Sequence, residues 1–207
     1  MIRVVRIEPY KNRNKVVLDN EEKFLLYKGD IRKFKLESNQ EISKVTYNEI
    51  KQLLYERGKE RALYILDKTF KTEKQIKDKL IQGMYPEDVI KRILEFLKKY
   101  DIINDKRYAM LYLDYKKSVY SKRKIIQDLY TKGISKELID EAFMESDFSE
   151  DDSISSVLKK RAKRYDLSDS KDLQKLYRYL VGKGYSFSMV KKAVDNYILE
   201  QKNSFYE

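Results

Sequence analysis

The sequence predicts a mainly α-helical protein, built from three tandem three-helix repeats behind a small N-terminal antiparallel β segment. The main observation is an apolar register that occurs three times, around Pro86, Ser135 and Ser186, which are 49 and 51 residues apart. In each copy apolar residues lie 10 and 6 positions before this residue and 3, 4, 7 and 8 positions after it. Any amphipathic helix shows the second half of this register. The shared spacing across the break indicates a true repeat of stacked units.

The first 45 residues have a different character. Three runs of β-favouring residues, 2–7, 15–18 and 23–27, are separated by turn residues, which predicts three short antiparallel strands followed by a helical turn near Asp30 to Leu36. Such a meander is marginal alone and needs a helix to pack against. A helix is predicted from about Thr46, and Gly58 is a point at which it can kink or break.

Capping signals place the helices within the repeats. Thr72 and Gln75 have the form of a capping box. Pro or Ser opens the helix after each break, and Gly closes the helix before it. Predicted helices span about 105–118, 121–132 and 135–146 in repeat two, and 152–165, 169–182 and 186–202 in repeat three. The predicted domains are 1–45 (β segment), 46–103 (repeat one), 104–147 (repeat two) and 148–207 (repeat three).

Composition excludes several classes of chemistry. The chain has 45 Lys and Arg against 34 Asp and Glu, a net charge of +11, and neither Cys nor His. Disulfides, thiolate metal sites and Ser-His or Cys-His catalytic pairs therefore cannot form. The N-terminus has no apolar signal region and no run approaches the length of a membrane span. We expect a cytoplasmic protein that is not an enzyme, holds no cofactor or metal and contacts no membrane.

Several motifs together resemble the RecX family, the small bacterial regulators of the RecA recombinase. The resemblance runs from about Ala62 to Val194. Its motifs are Ala62-Leu63, Ile65-Leu66, Thr72-Glu73, Ile76, Lys79-Leu80, Ile103-Asn104-Asp105 with Tyr108-Ala109, Lys132-Gly133-Ile134-Ser135 and Lys183-Gly184-Tyr185-Ser186. Repeat one departs from the pattern, because Gln82-Gly83-Met84 stands where Lys-Gly is common, and Lys68 or Thr69 stands where the family often has Arg.

The resemblance implies a shape and an activity. It implies that the repeats form an elongated, curved array that lies in the groove of the RecA-DNA filament. There, members of the family limit filament growth, strand exchange, ATP hydrolysis and the cleavage of RecA-dependent repressors. The segment before residue 45 lies outside the core resemblance.

Two basic clusters are the candidate binding residues for RecA or DNA. The first contains Tyr115, Lys116, Lys117, Lys122, Arg123 and Lys124, and the second contains Lys159, Lys160, Arg161, Lys163 and Arg164. Equivalent helices of a tandem array line the same side, so both clusters could lie on one concave face. Such a face would attract phosphates or an acidic protein groove. Alternatively, the lysines only keep exposed helix faces hydrated, and the tyrosines only pack in the core.

We therefore expect a monomeric regulator whose partner is the RecA filament and which binds single- or double-stranded DNA weakly or through RecA. Two rival functions remain open. Short helix-turn-helix pairs also suit a stand-alone DNA-binding regulator, although no dimerisation helix is evident. The chain could also be a scaffold for a different protein target.

Overall fold

The computed structural model describes residues 2–203, which form ten helices and one four-stranded sheet. The chain divides into two compact units, the first ending at Asn104 and the second beginning at Asp105. The first unit has one hydrophobic core, and the second has a separate core for each of two repeats. The mainly helical fold with a small N-terminal sheet is confirmed. Residues 204–207 of the predicted third repeat lie outside the described residues.

The first unit begins with an antiparallel sheet. Its strands are β1 (Ile2–Tyr10), β2 (Arg13–Leu18), β3 (Lys23–Leu26) and β4 (Gln40–Ile42), in the order β3-β2-β1-β4. The predicted helical turn is α1 (Lys28–Lys33). β4 is not predicted by the sequence, because this strand is three residues long and has a single buried side chain, Ile42. Only its pairing with the start of β1, where Ile42 lies opposite Ile2, makes it a strand.

Three helices complete this unit: α2 (Lys44–Lys68), α3 (Glu73–Gln82) and α4 (Glu87–Lys99). α2 continues through Gly58, so the structure does not show the break considered there. Gly58 is buried, and a Cβ atom at this position would lie 2.5 Å from Ile93 Cδ1 and 3.1 Å from the Tyr85 ring. The glycine therefore serves close packing of α2 against α4.

A buried lysine joins the sheet to the helices. Lys51 on α2 donates to Glu22 Oε1 in the β2–β3 turn at 2.8 Å and also to Asp88 at the start of α4. Tyr47 donates to the other oxygen of Glu22 at 2.9 Å. Burial lowers the pKa of Lys51, but the hydrogen bonds to Asp88 and Glu22 outweigh it and leave the pKa raised. The ammonium thus stays charged and paired, as a buried charge requires.

The second unit contains six helices within the described residues. They are α5 (Asp105–Lys116), α6 (Lys122–Thr131), α7 (Lys136–Met144), α8 (Glu150–Ala162), α9 (Ser170–Gly182) and α10 (Phe187–Asn203). The side chains of Ser121, Ser135, Ser149 and Asp169 accept backbone hydrogen bonds at the N-caps of α6 to α9. The predicted helices of repeats two and three are all present, with ends shifted by up to three residues.

The break between the last two helices of each repeat uses a left-handed residue. Gly133 has φ 89° and Gly184 has φ 99°, two positions before Ser135 and Ser186. In repeat one the equivalent residue is Met84, with φ 56°, whereas Gly83 has φ −79°. The departure from Lys-Gly in repeat one therefore leaves the backbone shape intact, and a non-glycine residue adopts the left-handed conformation.

The break of repeat three docks directly on the α5–α6 turn of repeat two. The Ser121 amide donates to the Lys183 carbonyl at 3.1 Å. Ser153 on α8 donates to the Tyr120 carbonyl at 3.1 Å, and its Oγ lies 2.6 Å from the Tyr185 hydroxyl. A Cβ atom on Gly184 would lie 2.3 Å from Ser121 Oγ and 2.7 Å from Lys124 Cβ. We call this contact the repeat junction.

The junction predicts that Gly184→Ala destabilises the protein by more than about 2 kcal/mol, because it adds left-handed strain to a steric clash. Gly182→Ala is the matched control. Gly182 lies in α9 with nothing within 4 Å of the added Cβ. That variant should be unchanged or more stable by up to about 1 kcal/mol. Urea unfolding followed by circular dichroism measures both, and equal stability of the two variants would contradict the junction geometry.

The junction also predicts a loss of stability in alkali. Burial raises the pKa of Tyr185 to about 12, although the hydrogen bond with Ser153 partly opposes the rise. Since an unfolded tyrosine has a pKa of about 10, the contribution of Tyr185 is complete below pH ~10 and is lost as the pH rises toward about 12. Tyr185→Phe should flatten this decline in urea midpoints between pH 9 and 11. The exposed control Tyr130→Phe should keep the parent's slope, and identical slopes for both variants would refute this assignment.

Candidate interaction surface

Cations and tyrosine rings alternate along one line in the second unit. We call this line the cation–tyrosine ladder, and its members are Lys116, Tyr120, Lys183, Tyr179, Arg161 and Tyr165. Lys116 Nζ lies 5.3 Å from the Tyr120 ring centroid, and Lys183 Nζ lies 4.5 Å from the same centroid. Lys183 Nζ is also 5.3 Å from the Tyr179 ring, and Arg161 Cζ is 4.4 Å from that ring. The ladder ends at Tyr165, 5.4 Å from Arg161 Cζ.

The repeat junction positions the ladder. Lys116 ends α5 and Tyr120 lies in the following turn, whereas Tyr179 and Lys183 come from the end of α9. The Ser121–Lys183 backbone hydrogen bond holds these two segments together. Arg161, in the last turn of α8, contacts the Tyr179 ring. Each cation–ring contact stabilises by about 0.5–1 kcal/mol when exposed, which is comparable to the net contribution of one hydrogen bond.

The ladder's charges are not neutralised internally. Within residues 2–203, Lys116, Lys183 and Arg161 form no ion pair with a carboxylate. Arg161 Nη2 donates to the Tyr165 hydroxyl at 2.9 Å, while its Nε is buried and has no hydrogen-bond partner among these residues. Because no carboxylate offsets these three charges, the surface around them keeps a positive potential that attracts a negatively charged partner.

Arg161 also lines a small open cavity of about 150 Å³, beside the ladder. Lys160 and Arg164 flank it from the same helix end, and Val119 and Tyr179 close it from the turn and from α9. Its volume is below that of a usual small-molecule site, which is about 300 Å³ or more. It suits a single anionic group, such as a phosphate or a carboxylate side chain.

The first predicted cluster is divided by the fold. Lys116 joins the ladder, and the Tyr115 ring, 74% exposed, lies 4.7 Å from its Nζ. Lys117 instead forms ion pairs with Asp114 at 2.9 Å and Asp147 at 2.8 Å, whose hydrogen bonds raise its pKa. Its charge is therefore already balanced.

The other three members of this cluster lie on α6. Lys124 pairs with Asp128 at 2.9 Å, and Asp128 also accepts from Tyr112 at 3.0 Å. Lys122 Nζ lies 5.0 Å over the Phe143 ring of α7, and Arg123 is exposed. Of the first cluster, only Lys116 therefore belongs to the ladder, which also contains Arg161 of the second cluster.

The second predicted cluster is also split around α8. Lys160, Arg161 and Arg164 face the small cavity. Lys159 lines a different groove, against α10, and Lys163 is exposed at the C-terminal end of α8. Helical spacing accounts for this group, since Lys160 and Arg161 lie four and three residues before Arg164 and so share its side of the helix.

Four ladder residues were absent from the predicted binding set: Tyr120, Tyr165, Tyr179 and Lys183. In the sequence, Lys183 stands out only through the Lys183-Gly184 pair at a helix end. The Lys183-Gly184 pair could have indicated Lys183. The break that contains this pair forms the repeat junction, so the side chain next to Gly184 lies at that contact. No sequence signal indicated that Tyr179 would lie beneath two cations.

The surface consists of cations and aromatic rings, which bind phosphates, carboxylates and unstacked bases. Residues 2–203 contain no group of three or more His, Cys, Asp or Glu side chains placed to hold a metal ion. Across the same stretch, no helix has both the length and the apolarity needed to cross a bilayer.

Comparison with known proteins identifies the family. Models of the first, second and third three-helix domains of RecX match residues 59–97, 104–142 and 149–194. Regulatory protein RecX of Clostridium beijerinckii is 34% identical over 205 residues, covering 94% of this chain and 95% of that protein. Regulatory protein RecX of Clostridium perfringens strain SM101 is 33% identical over 186 residues, covering 85% of each.

Two solved structures have a similar fold. RecX from Lactobacillus salivarius aligns with a TM-score of 0.58 at 27% identity, covering 70% of this chain and 97% of that one. A crystal structure of a regulatory protein RecX aligns with a TM-score of 0.59 at 24% identity, covering 94% of this chain and 100% of that one. From its three matched domains and its similarity to full-length relatives, the chain belongs to the RecX family, the regulatory proteins of RecA.

Proposed function

We propose that this protein is a non-enzymatic inhibitor of RecA that binds in the groove of the RecA-DNA filament through the cation–tyrosine ladder and the adjoining cavity. The observation that carries the proposal is the set of cations, Lys116, Lys183 and Arg161, that lack carboxylate partners within residues 2–203. Family membership supplies the partner, and the ladder supplies a surface suited to acidic side chains and phosphates.

The proposed mechanism is steric and electrostatic. The cations contact acidic groups of the groove or DNA phosphates, and the two repeats bridge neighbouring RecA subunits. The bound protein then competes with duplex DNA or repressor for the groove, which slows filament growth, ATP hydrolysis, strand exchange and repressor cleavage. The protein acts as a cytoplasmic monomer, and it contacts DNA weakly or through RecA.

The basic residues differ in how far nearby carboxylates already balance their charges. Lys117 and Lys124 contribute least, because Asp114, Asp147 and Asp128 already offset them. Lys160 and Arg164 contribute more, because they are exposed beside the cavity. Binding should weaken with added salt, since ion pairing at an exposed surface is screened.

The test is RecA-dependent ATP hydrolysis on single-stranded DNA, titrated with sub-stoichiometric amounts of this protein. The double variant Lys160→Glu/Arg164→Glu should require about tenfold more protein for half-inhibition, because two attractive charges become repulsive. The matched control is Lys136→Glu/Lys171→Glu, at exposed positions in the first turns of α7 and α9. A glutamate there complements the helix dipole, so this control should fold and inhibit like the parent.

Full inhibition by the Lys160→Glu/Arg164→Glu variant would contradict the proposed surface. A gel-shift series with and without RecA separates the rival function. Tight, sequence-selective binding to duplex DNA by this protein alone would favour a stand-alone DNA-binding regulator instead.

A further inference from the structure

A second cationic site lies in the first unit. It is an open pocket of about 490 Å³ between the β2–β3 hairpin, α2 and the turn that follows α3. Three arginines, Arg13, Arg57 and Arg61, line it together with three tyrosines, Tyr27, Tyr64 and Tyr85. One carboxylate, Glu60, is also part of the lining. The ladder contributes no residue to this pocket.

Of these three arginines, one is paired with a carboxylate and two are not. Arg57 donates to Asp30 Oδ1 at 2.9 Å, which balances its charge, and its Cζ lies 5.0 Å from the Tyr27 ring. Arg13 approaches the same ring at 5.9 Å, and Arg61 follows Arg57 by one helical turn. Within residues 2–203 neither Arg13 nor Arg61 pairs with a carboxylate. The fold therefore brings Arg13 and Arg61, which form no ion pair within residues 2–203, into one pocket.

Tyr85 shares the pocket with the three arginines. Burial raises the pKa of Tyr85, while the charges of Arg61, Arg13 and Arg57 oppose the rise. Leu54 and Met84 add apolar surface to the pocket, and Tyr64 is 63% exposed. The pocket thus combines donors for an anion with flat rings and an apolar floor.

We propose that this pocket binds one nucleotide of a single-stranded nucleic acid, with its phosphate on Arg13 and Arg61 and its base against the tyrosines. A nucleotide presents an anion joined to a flat ring, and its size suits a pocket of this class. A base paired in a duplex is stacked and cannot enter a pocket, which favours a single strand. An acidic peptide would use the arginines but would leave the rings uncovered.

The test is photocrosslinking of the full-length protein, without RecA, to a short single-stranded oligonucleotide that carries 5-iododeoxyuridine. Mass spectrometry locates the crosslinks, so binding in this pocket is read separately from binding at the ladder. We expect crosslinks at Tyr27, Tyr64 or Tyr85. The variant Arg13→Gln/Arg61→Gln should reduce them at least about tenfold, because two charge-assisted phosphate contacts are lost.

Lys44→Gln/Lys91→Gln is the charge-matched control, since both lysines are exposed and neither lines the pocket. It should crosslink like the parent, and circular dichroism checks the fold of both variants. Crosslinks confined to residues after Asn104, or unchanged in the arginine variant, would overturn the proposal. So would displacement of the oligonucleotide by an acidic peptide at lower concentration than by unlabelled oligonucleotide. RecA inhibition is read in a different assay, so the two proposals fail independently.

Discussion

The backbone contact between the Ser121 amide and the Lys183 carbonyl is the constraint on which the interaction surface depends. This contact requires a residue without a side chain at position 184, because any Cβ would overlap Ser121 Oγ. Once the two segments meet, Tyr120 from repeat two and Tyr179 from repeat three lie on either side of Lys183. A glycine that ends a helix therefore also fixes how two repeats share a surface.

In the ladder, tyrosine rings and not carboxylates hold the cations in position. A carboxylate beside each cation would fix its position but cancel its field, as at Lys117 and Lys124. A tyrosine face also holds a cation and leaves the charge in place, at about 0.5–1 kcal/mol for each contact. The ordered cations lose less side-chain entropy on binding, which favours affinity for an acidic partner.

The helical framework was predictable from the sequence because its signals are local. Caps at Thr72 and Ser135 and the apolar register fix each helix without knowledge of its neighbours. Gly58 and β4 could not be predicted, because one serves packing against Ile93 and the other exists only through pairing with β1. The basic clusters were visible in the sequence, and so were the local pairs of Lys117 with Asp114 and Lys124 with Asp128. Other contacts of these cations come from side chains distant in sequence. Asp147 also pairs with Lys117 from 30 residues away, and Tyr179 of α9 contacts Arg161 of α8.

The most direct measurement is amide hydrogen exchange of this protein, free and bound to RecA on single-stranded DNA. If the ladder is the binding surface, protection will rise together in the turn at 117–121, at the end of α8 and around Lys183, while α7 stays unchanged. These three segments are far apart in sequence and meet only at the repeat junction, so their joint protection would support the account. Protection confined to α7 or to the first unit would contradict it.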